Sequence, residues 1–327
     1  MRFSDKFKAF LIDFVIWLYL LGSGLYFADS FGYKIPIIFI LPLALIFATI
    51  LNFGEDSPGM ALFGEKKRKW LKSLNGWIIM LVLIMTMAVG WSVVEVDLFK
   101  FFTKGANAKG IVSGLFHPNF KIIKICLTAL VETIYLALLA TVLAIPLAFV
   151  LSFLAARNLM PKTFLGNSIY YIVRTIATIF RSIEAIVWAI IFSVWVGIGP
   201  FAGMLALMIH SVASLTKLYS EQIENIDSGQ IEAIKATGAT TLQVWVFAVI
   251  PQIISPYLAF TIYRWDINVR MATIVGFVGG GGIGLLLLQQ QQLLRWHNVG
   301  IIIWLIALVV WIMDMVSGKV REKLQEM

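Results

Sequence analysis

Charged side chains, cysteines and histidines are all scarce in this sequence. Only 13% of the 327 residues are Asp, Glu, Lys or Arg, while 60% are hydrophobic. A soluble domain is about a quarter charged, so the composition excludes an ordinary soluble protein and indicates an integral membrane protein. Cys126 is the only cysteine, which excludes an internal disulfide. His117, His210 and His297 lie far apart in the chain, so no metal site is expected.

The sequence also lacks the phosphate-binding pattern GxxxxGK[ST]. Since that loop holds the phosphates of ATP, we expect no ATP hydrolysis and no cofactor in this chain. An intramembrane enzyme would need a nucleophile–base pair or a metal cluster at membrane depth, and neither is evident. The chain is therefore not interpreted as an enzyme.

Long apolar runs are the dominant feature of the sequence. Most of them are long enough to cross a hydrocarbon core of ~30 Å as α-helices. We expect an all-α integral membrane protein with about eight transmembrane helices. The runs cover residues 9–28, 35–53, 77–97, 127–156, 168–196, 200–219, 242–263 and 298–317.

The net charge of +8 is distributed between these runs, and its densest group is KKRK at 66–69. This distribution is typical of the positive-inside rule rather than of nucleic-acid binding. Basic residues at both ends place both termini in the cytoplasm of a multi-pass protein of the inner (plasma) membrane. They are Arg2, Lys6 and Lys8 before the first run, and Lys319, Arg321 and Lys323 after the last. The loop 98–125 opposes this scheme, because it would lie outside although it carries five lysines.

The run ATIVGFVGGGGIGLLLL, residues 272–288, contains six glycines. Each glycine lowers helix propensity by up to ~1 kcal/mol relative to alanine. We interpret the run as a non-spanning or re-entrant segment, which at membrane depth must be buried in protein or line a cavity. The alternative is a packing helix whose small residues let its neighbours approach closely.

A short polar helix is predicted just before the run 242–263. Asp227 is a good N-cap, Gln230 completes a capping-box pattern, and Gly238 occupies the position of a C′ glycine. Ile231 and Ile234 lie on one face of this helix. The helix could lie on the lipid surface or dock in a groove of another protein. Docking is favoured because the polar face has a single lysine, Lys235, balanced by Glu232.

The same residues resemble the EAA loop of ABC importer permeases, written EAA, three residues, Gly, nine residues, I-x-L-P. Glu232 and Ala233 open the motif, Gly238 lies at the required spacing and Pro251 closes it. The departures are Ile234, Ala248 and Ile250, which all keep small or apolar character. The resemblance implies that 228–238 is a coupling helix that fits a cleft in a separate cytoplasmic ATPase subunit.

Three further stretches resemble phosphonate importer permeases of the PhnE type. They are IDSGQIEAIKATGAT, FRSIEAIVWAIIFSVWVGIGPFAGMLAL (180–207) and YRWDINVRMATIVGFVGGGGIG (263–284). The match covers about 120–320, so it implies a five-helix type I (MetI-like) permease core at 120–327. Residues 1–119 would be an N-terminal extension with about three transmembrane helices. The glycine run is shared with amino-acid importers such as methionine permeases and says little about the substrate.

Charged residues inside the apolar runs must face protein or water. Arg181 and Glu184 can form a pair, and are interpreted either as part of a polar pathway or gate, or as a lock between helices. Arg174, nearer the cytoplasmic end, could extend to the membrane surface. Glu132 and Asp314 are expected to pair with neighbours.

Arg264, Asp266 and Arg270 are expected at the outer end of a span, next to the glycines Gly279, Gly280, Gly281 and Gly282. Two arginines there would attract an anionic phosphonate. The alternative is an ion-pair network that docks a binding protein or braces the gate.

The sequence thus predicts the permease subunit of an ATP-driven importer for phosphonate or a related phosphorus oxyanion. The resemblance implies three protein partners: a second copy of the chain, an external phosphonate-binding protein, and an ATPase that carries the ATP and Mg²⁺. Membrane lipid surrounds the complex. The alternatives are an ABC permease for another small solute such as an amino acid, or a secondary transporter, which usually shows internal repeats.

Overall fold

A computed structural model describes residues 3–31, 33, 36–53, 57–63 and 74–325. The KKRK group and Arg2 lie outside these residues. Within them all regular structure is helical, which confirms the all-α prediction. The chain divides into two compact units, Met1–Gly105 and Ala106–Met327.

The described residues of the first unit form five α-helices: α1 Phe3–Ser30, α2 Ile40–Phe53, α3 Pro58–Phe63, α4 Leu74–Val93 and α5 Leu98–Thr103. Tyr19 joins α1 to α4 by donating a hydrogen bond to Thr86 Oγ1 at 2.7 Å. Asp13 is buried in α1, and its Oδ1 accepts a 2.7 Å bond from the backbone N–H of Gly59 in α3. This acidic residue in an apolar helix therefore has a backbone partner, as membrane burial requires.

The described residues of the second unit form ten α-helices and one π-helical turn, Trp245–Val249. Its core is built largely from alanines, including Ala137, Ala140, Ala202, Ala206 and Ala272, which let the backbones approach closely. The helices are α6 Lys109–Phe116, α7 Ile123–Leu154, α8 Phe164–Ser182, α9 Ala185–Val196, α10 Pro200–Glu224, α11 Ser228–Ala236, α12 Thr241–Val244, α13 Ile250–Gly276, α14 Gly282–Gln292 and α15 Trp296–Gln325.

Six helical segments in the described residues are long and apolar enough to cross a membrane. They correspond to α1, α4, α7, α10, α12 through α13, and α15. The run 168–196 forms α8 and α9, which meet at an angle of 89° and could count as a seventh, broken span. The run 35–53 forms α2, which has only 14 residues. The prediction of about eight spans is therefore roughly consistent with the structure.

The first unit ends at Gly105, whereas the sequence begins the permease core at residue 120. The residues between these two limits include α6, which belongs to the second unit because it packs against α15. The packing is close: a Cβ added to Gly110 would approach the indole Nε1 of Trp296 to 2.8 Å.

The structure corrects the predicted limit of one segment and shows how another is built. The helix predicted at 242–263 continues to Gly276, so the helical segment runs over Thr241–Gly276 with 36 residues. Its charged residues lie within the helix: Arg264 donates a hydrogen bond to Ser211, and Asp266 pairs with Arg270. The run 272–288 is not one helix: it comprises the end of α13, a turn at 277–281 and the start of α14.

Candidate functional site

The short polar helix predicted before the run 242–263 is α11, and it begins at the predicted N-cap. The Asp227 Oδ1 atom accepts a 2.9 Å hydrogen bond from the backbone N–H of Gly229. The predicted capping box with Gln230 is wrong: the backbone N–H of Asp227 instead donates to Oε1 of Gln252, at 3.0 Å. Gln252 lies in the first turn of α13, so the bond ties the start of α11 to a membrane-crossing helix.

The C-terminal end of α11 also agrees with the sequence. Gly238 has a φ of +81°, and its N–H donates to the carbonyl of Lys235 at 3.0 Å. That left-handed conformation favours glycine over other residues. A capping box begins the next helix, α12. The N–H of its N-cap, Thr240, donates to Oε1 of Gln243 at 2.8 Å.

Pro251 lies in the first turn of α13, directly after the π-helical turn. Proline has no N–H, and its ring crowds the carbonyl four residues earlier in a regular helix. Here the N–H of Ile250 donates to the carbonyl of Trp245, which gives the wider π-type spacing. The chain therefore passes from α12 into α13 without losing its helical course.

The two faces of α11 have different environments. Ile231 packs against the second unit's own core, in a cluster that includes Tyr219 and Ile253, and Ile234 is half-buried. Glu232 and Ala233 are exposed. The apolar face is thus used inside this chain, and the face left for another protein is polar with small side chains.

A polar clamp holds the end of α10, just before α11. Oε1 of Glu224 accepts hydrogen bonds from Nη1 of Arg174 at 2.7 Å and from the backbone N–H of Arg157 at 2.9 Å. Arg174 therefore pairs with a carboxylate instead of reaching only for the membrane surface. The clamp joins α8, α10 and the loop after α7.

Arg181 and Glu184 lie on either side of the right-angled bend between α8 and α9, and both are exposed. They do not form an ion pair in the described part of the chain, because α8 ends at Ser182 and Glu184 occupies the N-cap of α9. The i,i+3 spacing that favours pairing exists only within a continuous helix. The carbonyl of Ile183 at the bend lies 3.1 Å from Nδ1 of His210 in α10.

A buried polar cluster lies in the second unit where α7, α10 and α13 meet. Nδ2 of Asn268 donates to the hydroxyls of Thr141 and Ser211, each at 2.8 Å. Nε of Arg264 donates to Oγ of Ser211 at 3.1 Å. Asn268 and Ser211 are fully buried, and Arg264 is 6% exposed. Because α13 continues to Gly276, Arg264 lies within this helix and not at the outer end of a span.

Arg270 has a different environment from Arg264. Nη2 of Arg270 lies 2.7 Å from Oδ2 of Asp266, and Nη1 lies 2.9 Å from Oδ1 of Asp314 in α15. The two carboxylates neutralise this guanidinium and join α13 to α15. Asp314 therefore pairs with a neighbouring residue, as the sequence predicted.

The glycine turn is packed tightly among α7, α10, α13 and the loop between α9 and α10. Gly279, Gly281 and Gly282 have φ values of +90°, +77° and +69°. A Cβ added to Gly281 would approach Cγ of Pro200 to 2.7 Å, and one added to Gly203 would approach the carbonyl O of Gly280 to 2.5 Å. Glycine is required here both for its backbone conformation and for close approach.

The start of α14 is held by α7. Oε1 of Glu132 accepts a 3.2 Å bond from the N–H of Gly282, and Oγ1 of Thr133 accepts a 2.8 Å bond from the N–H of Ile283. Glu132 thus stabilises a helix N-terminus, where a carboxylate is favourable. This is the neighbouring partner expected of Glu132.

Sequence reasoning missed Thr141, Ser211 and Asn268 as members of the polar cluster. A signal was present, because each is a hydrogen-bonding residue within a long apolar helix. Their mutual contacts could not be read from the sequence, since they lie on three different helices.

These observations define a multi-pass helical membrane protein with a buried polar cluster and a short capped helix, α11, between two membrane-crossing segments. The chain belongs to the binding-protein-dependent transport system inner-membrane components, the permease subunits of ABC importers, whose family model matches residues 148–321.

Named relatives support this assignment. The chain is 31% identical over 240 residues to a putative phosphite transport system permease protein, HtxC, of Stutzerimonas stutzeri, covering 73% of this chain and 84% of the relative. It is 39% identical over 119 residues to a putative cryptic phosphonate transport system permease protein, PhnE2, of Escherichia coli K12, covering 36% and 98%.

A solved structure supports the fold. A chain of the MetNI methionine ABC transporter, in its inward-facing conformations, has a TM-score of 0.54 at 22% identity, covering 63% of this chain and 99% of that one. The MetI-like fold expected from the sequence is confirmed.

Proposed function

We propose that this permease imports phosphonate or a related phosphorus oxyanion into the cytoplasm. The support is the similarity to relatives named for phosphite and phosphonate transport. An external binding protein delivers the anion to a pathway that runs through two copies of this chain. Arg181, Glu184, Arg264 and Gly279–Gly282 lie along that pathway, and Arg270 with Asp266 braces it.

A separate ATPase subunit, which carries ATP and Mg²⁺, docks on α11. The observation that carries this assignment is the exposed face of α11, on a helix whose start is fixed to α13. The backbone N–H of its N-cap, Asp227, is bonded to Gln252, and its C-terminal end is capped by the N–H of Gly238. Movement of the docked ATPase would therefore be transmitted through Gln252 to α13.

Both termini lie in the cytoplasm in this proposal. The basic residues at each end support it. For the C-terminus there is also a contact: the hydroxyl of Ser255, near the start of α13, donates to the carbonyl of Leu324 at the end of α15. The end of α15 is therefore on the same side of the bundle as α11.

Co-purification of the complete complex tests the substrate and the partners. We expect the native mass to show two copies of this chain with two ATPase subunits, and the binding protein to retain a phosphorus oxyanion. A binding protein that retains methionine and no phosphorus compound would replace this proposal with the amino-acid importer.

The variant Gly238→Asp tests the role of α11. Aspartate tolerates a positive φ better than most residues, so the protein should still fold and reach the membrane. The added carboxylate on the docking face should abolish uptake. Normal uptake at normal membrane levels would show that α11 does not couple this chain to the ATPase.

A further inference from the structure

One guanidinium in the second unit has unused hydrogen-bonding capacity. Arg264 is 6% exposed, and its Nη2 atom is buried without a hydrogen-bond partner among the described residues. In the same part of the chain it forms no ion pair, whereas Arg270 on the same helix forms two. A buried charge without a partner is unfavourable in a membrane protein and marks a functional site.

The other edge of this guanidinium is fixed in place. Nε of Arg264 donates to Ser211, and Asn268 donates to both Ser211 and Thr141. The hydroxyl of Thr141 is in turn bonded to the carbonyl of Ala137, at 2.7 Å. The network therefore anchors Arg264 to α7 and α10, and leaves its terminal amino group Nη2 for a ligand.

The position of the cluster suits a ligand in transit. Thr141, Ser211 and Asn268 are well inside their helices, away from either end of α7, α10 and α13. Arg264 forms no ion pair within the described residues, so an acceptor that enters the bundle can reach its Nη2 atom without first breaking a salt bridge.

We propose that Arg264, positioned by Ser211 and Asn268, binds the transported anion in the middle of the bundle. The ligand class is a small tetrahedral oxyanion such as phosphite or methylphosphonate, since a guanidinium binds two oxygens of such a group side by side. This inference rests on the proposed function. It assigns the anion contact to Arg264 and excludes Arg270, whose charge is already neutralised.

Uptake by the reconstituted complex tests this site. The permease, its ATPase and its binding protein are placed in proteoliposomes, and labelled phosphite uptake is measured for wild type, Arg264→Gln, Arg264→Lys and Ser211→Ala. We expect Arg264→Gln to lose at least tenfold in uptake. Arg264→Lys should lose nearly as much, because lysine keeps the positive charge but lacks the planar guanidinium that binds two oxygens at once. Ser211→Ala should lose several-fold. The matched control is Arg295→Gln, whose side chain is exposed, and it should remain within twofold of wild type.

A second measurement separates ligand binding from a merely structural role. Millimolar phosphite or methylphosphonate should raise the thermal unfolding midpoint of the wild-type permease–ATPase complex, and should not raise that of Arg264→Gln. Uptake by Arg264→Gln within twofold of wild type would overturn the proposal. If that variant does not assemble, unchanged uptake and an unchanged midpoint shift in Ser211→Ala would overturn it instead.

The two proposals fail in different ways. If wild type takes up methionine and no phosphorus oxyanion, the proposed function fails and this inference fails with it. If wild type takes up phosphite and the Arg264 variants do so equally well, only this inference fails.

Discussion

Arg264 and Arg270 show how differently two arginines on one helix can be accommodated. Arg270 lies between Asp266 and Asp314, so its charge serves to hold α13 against α15. Asp266 is 2% exposed, whereas the side chain of Asp314 is 50% exposed. The two ion pairs of Arg270 should therefore differ in their contribution to stability.

Replacement of Arg270 by methionine would leave the buried carboxylate of Asp266 without its partner. We expect a loss of about 3 kcal/mol in the free energy of unfolding, since removing one member of a buried pair is strongly destabilising. Asp314→Asn should cost only about 0.5 kcal/mol, because the pair it breaks is exposed. Thermal unfolding of the purified permease would measure both losses of stability. Equal unfolding midpoints for the two variants would contradict the stabilising role assigned to the pair of Arg270 with Asp266.

At the scale of elements, the glycine turn depends on close contact between α10 and the turn itself. Gly203→Ala would place a Cβ 2.5 Å from the carbonyl O of Gly280, which is backbone and cannot rotate away. Overpacking of this kind costs ~1–3 kcal/mol. We expect Gly203→Ala to lower the thermal unfolding midpoint and to reduce uptake.

The control for this prediction is Gly318→Ala in α15, where an added Cβ meets nothing within 4 Å. Because alanine favours a helix over glycine, this variant should be as stable as wild type or slightly more so. A Gly203→Ala protein with an unchanged midpoint would show that the turn can move aside.

The sequence predicted some elements well because their signals are local. Asp227 and Gly238 delimit α11 through contacts with residues close in sequence, so capping chemistry found both ends. The partner of the Asp227 N–H was missed because Gln252 belongs to another helix. The limit of α13 was misplaced for a related reason: Arg264 resembles the end of a span until its partner Ser211, on another helix, is known.

At the scale of the whole molecule, the single cysteine allows the topology to be measured. Cys126 is buried, so it can be replaced by alanine and new cysteines introduced one at a time. We expect Lys319→Cys to react with a membrane-impermeant thiol reagent only after the cells are permeabilised, and Lys121→Cys to react in intact cells. Labelling of Lys319→Cys in intact cells would place the C-terminus outside.

The whole-molecule architecture was predictable to different degrees in the two units. The second unit carries sequence motifs, such as EAIKATG and the glycine run, whose resemblance to permeases indicated its fold. The first unit has no such motif, and its helix α2 is shorter than the apolar run that predicted it. Hydropathy detects apolar residues, and it does not show where a helix begins within them.

Because α8 and α9 meet at a right angle, the pair has the form of an angled lever with its corner at Ile183. One arm, α8, is tied by Arg174 to Glu224 at the end of α10, immediately before α11. The corner at Ile183 is held by His210. An angled lever turns about its corner, so a sideways displacement of one arm displaces the other arm as well. A push from α11 that moves α8 sideways, through Glu224 and Arg174, should therefore turn α9 about the corner.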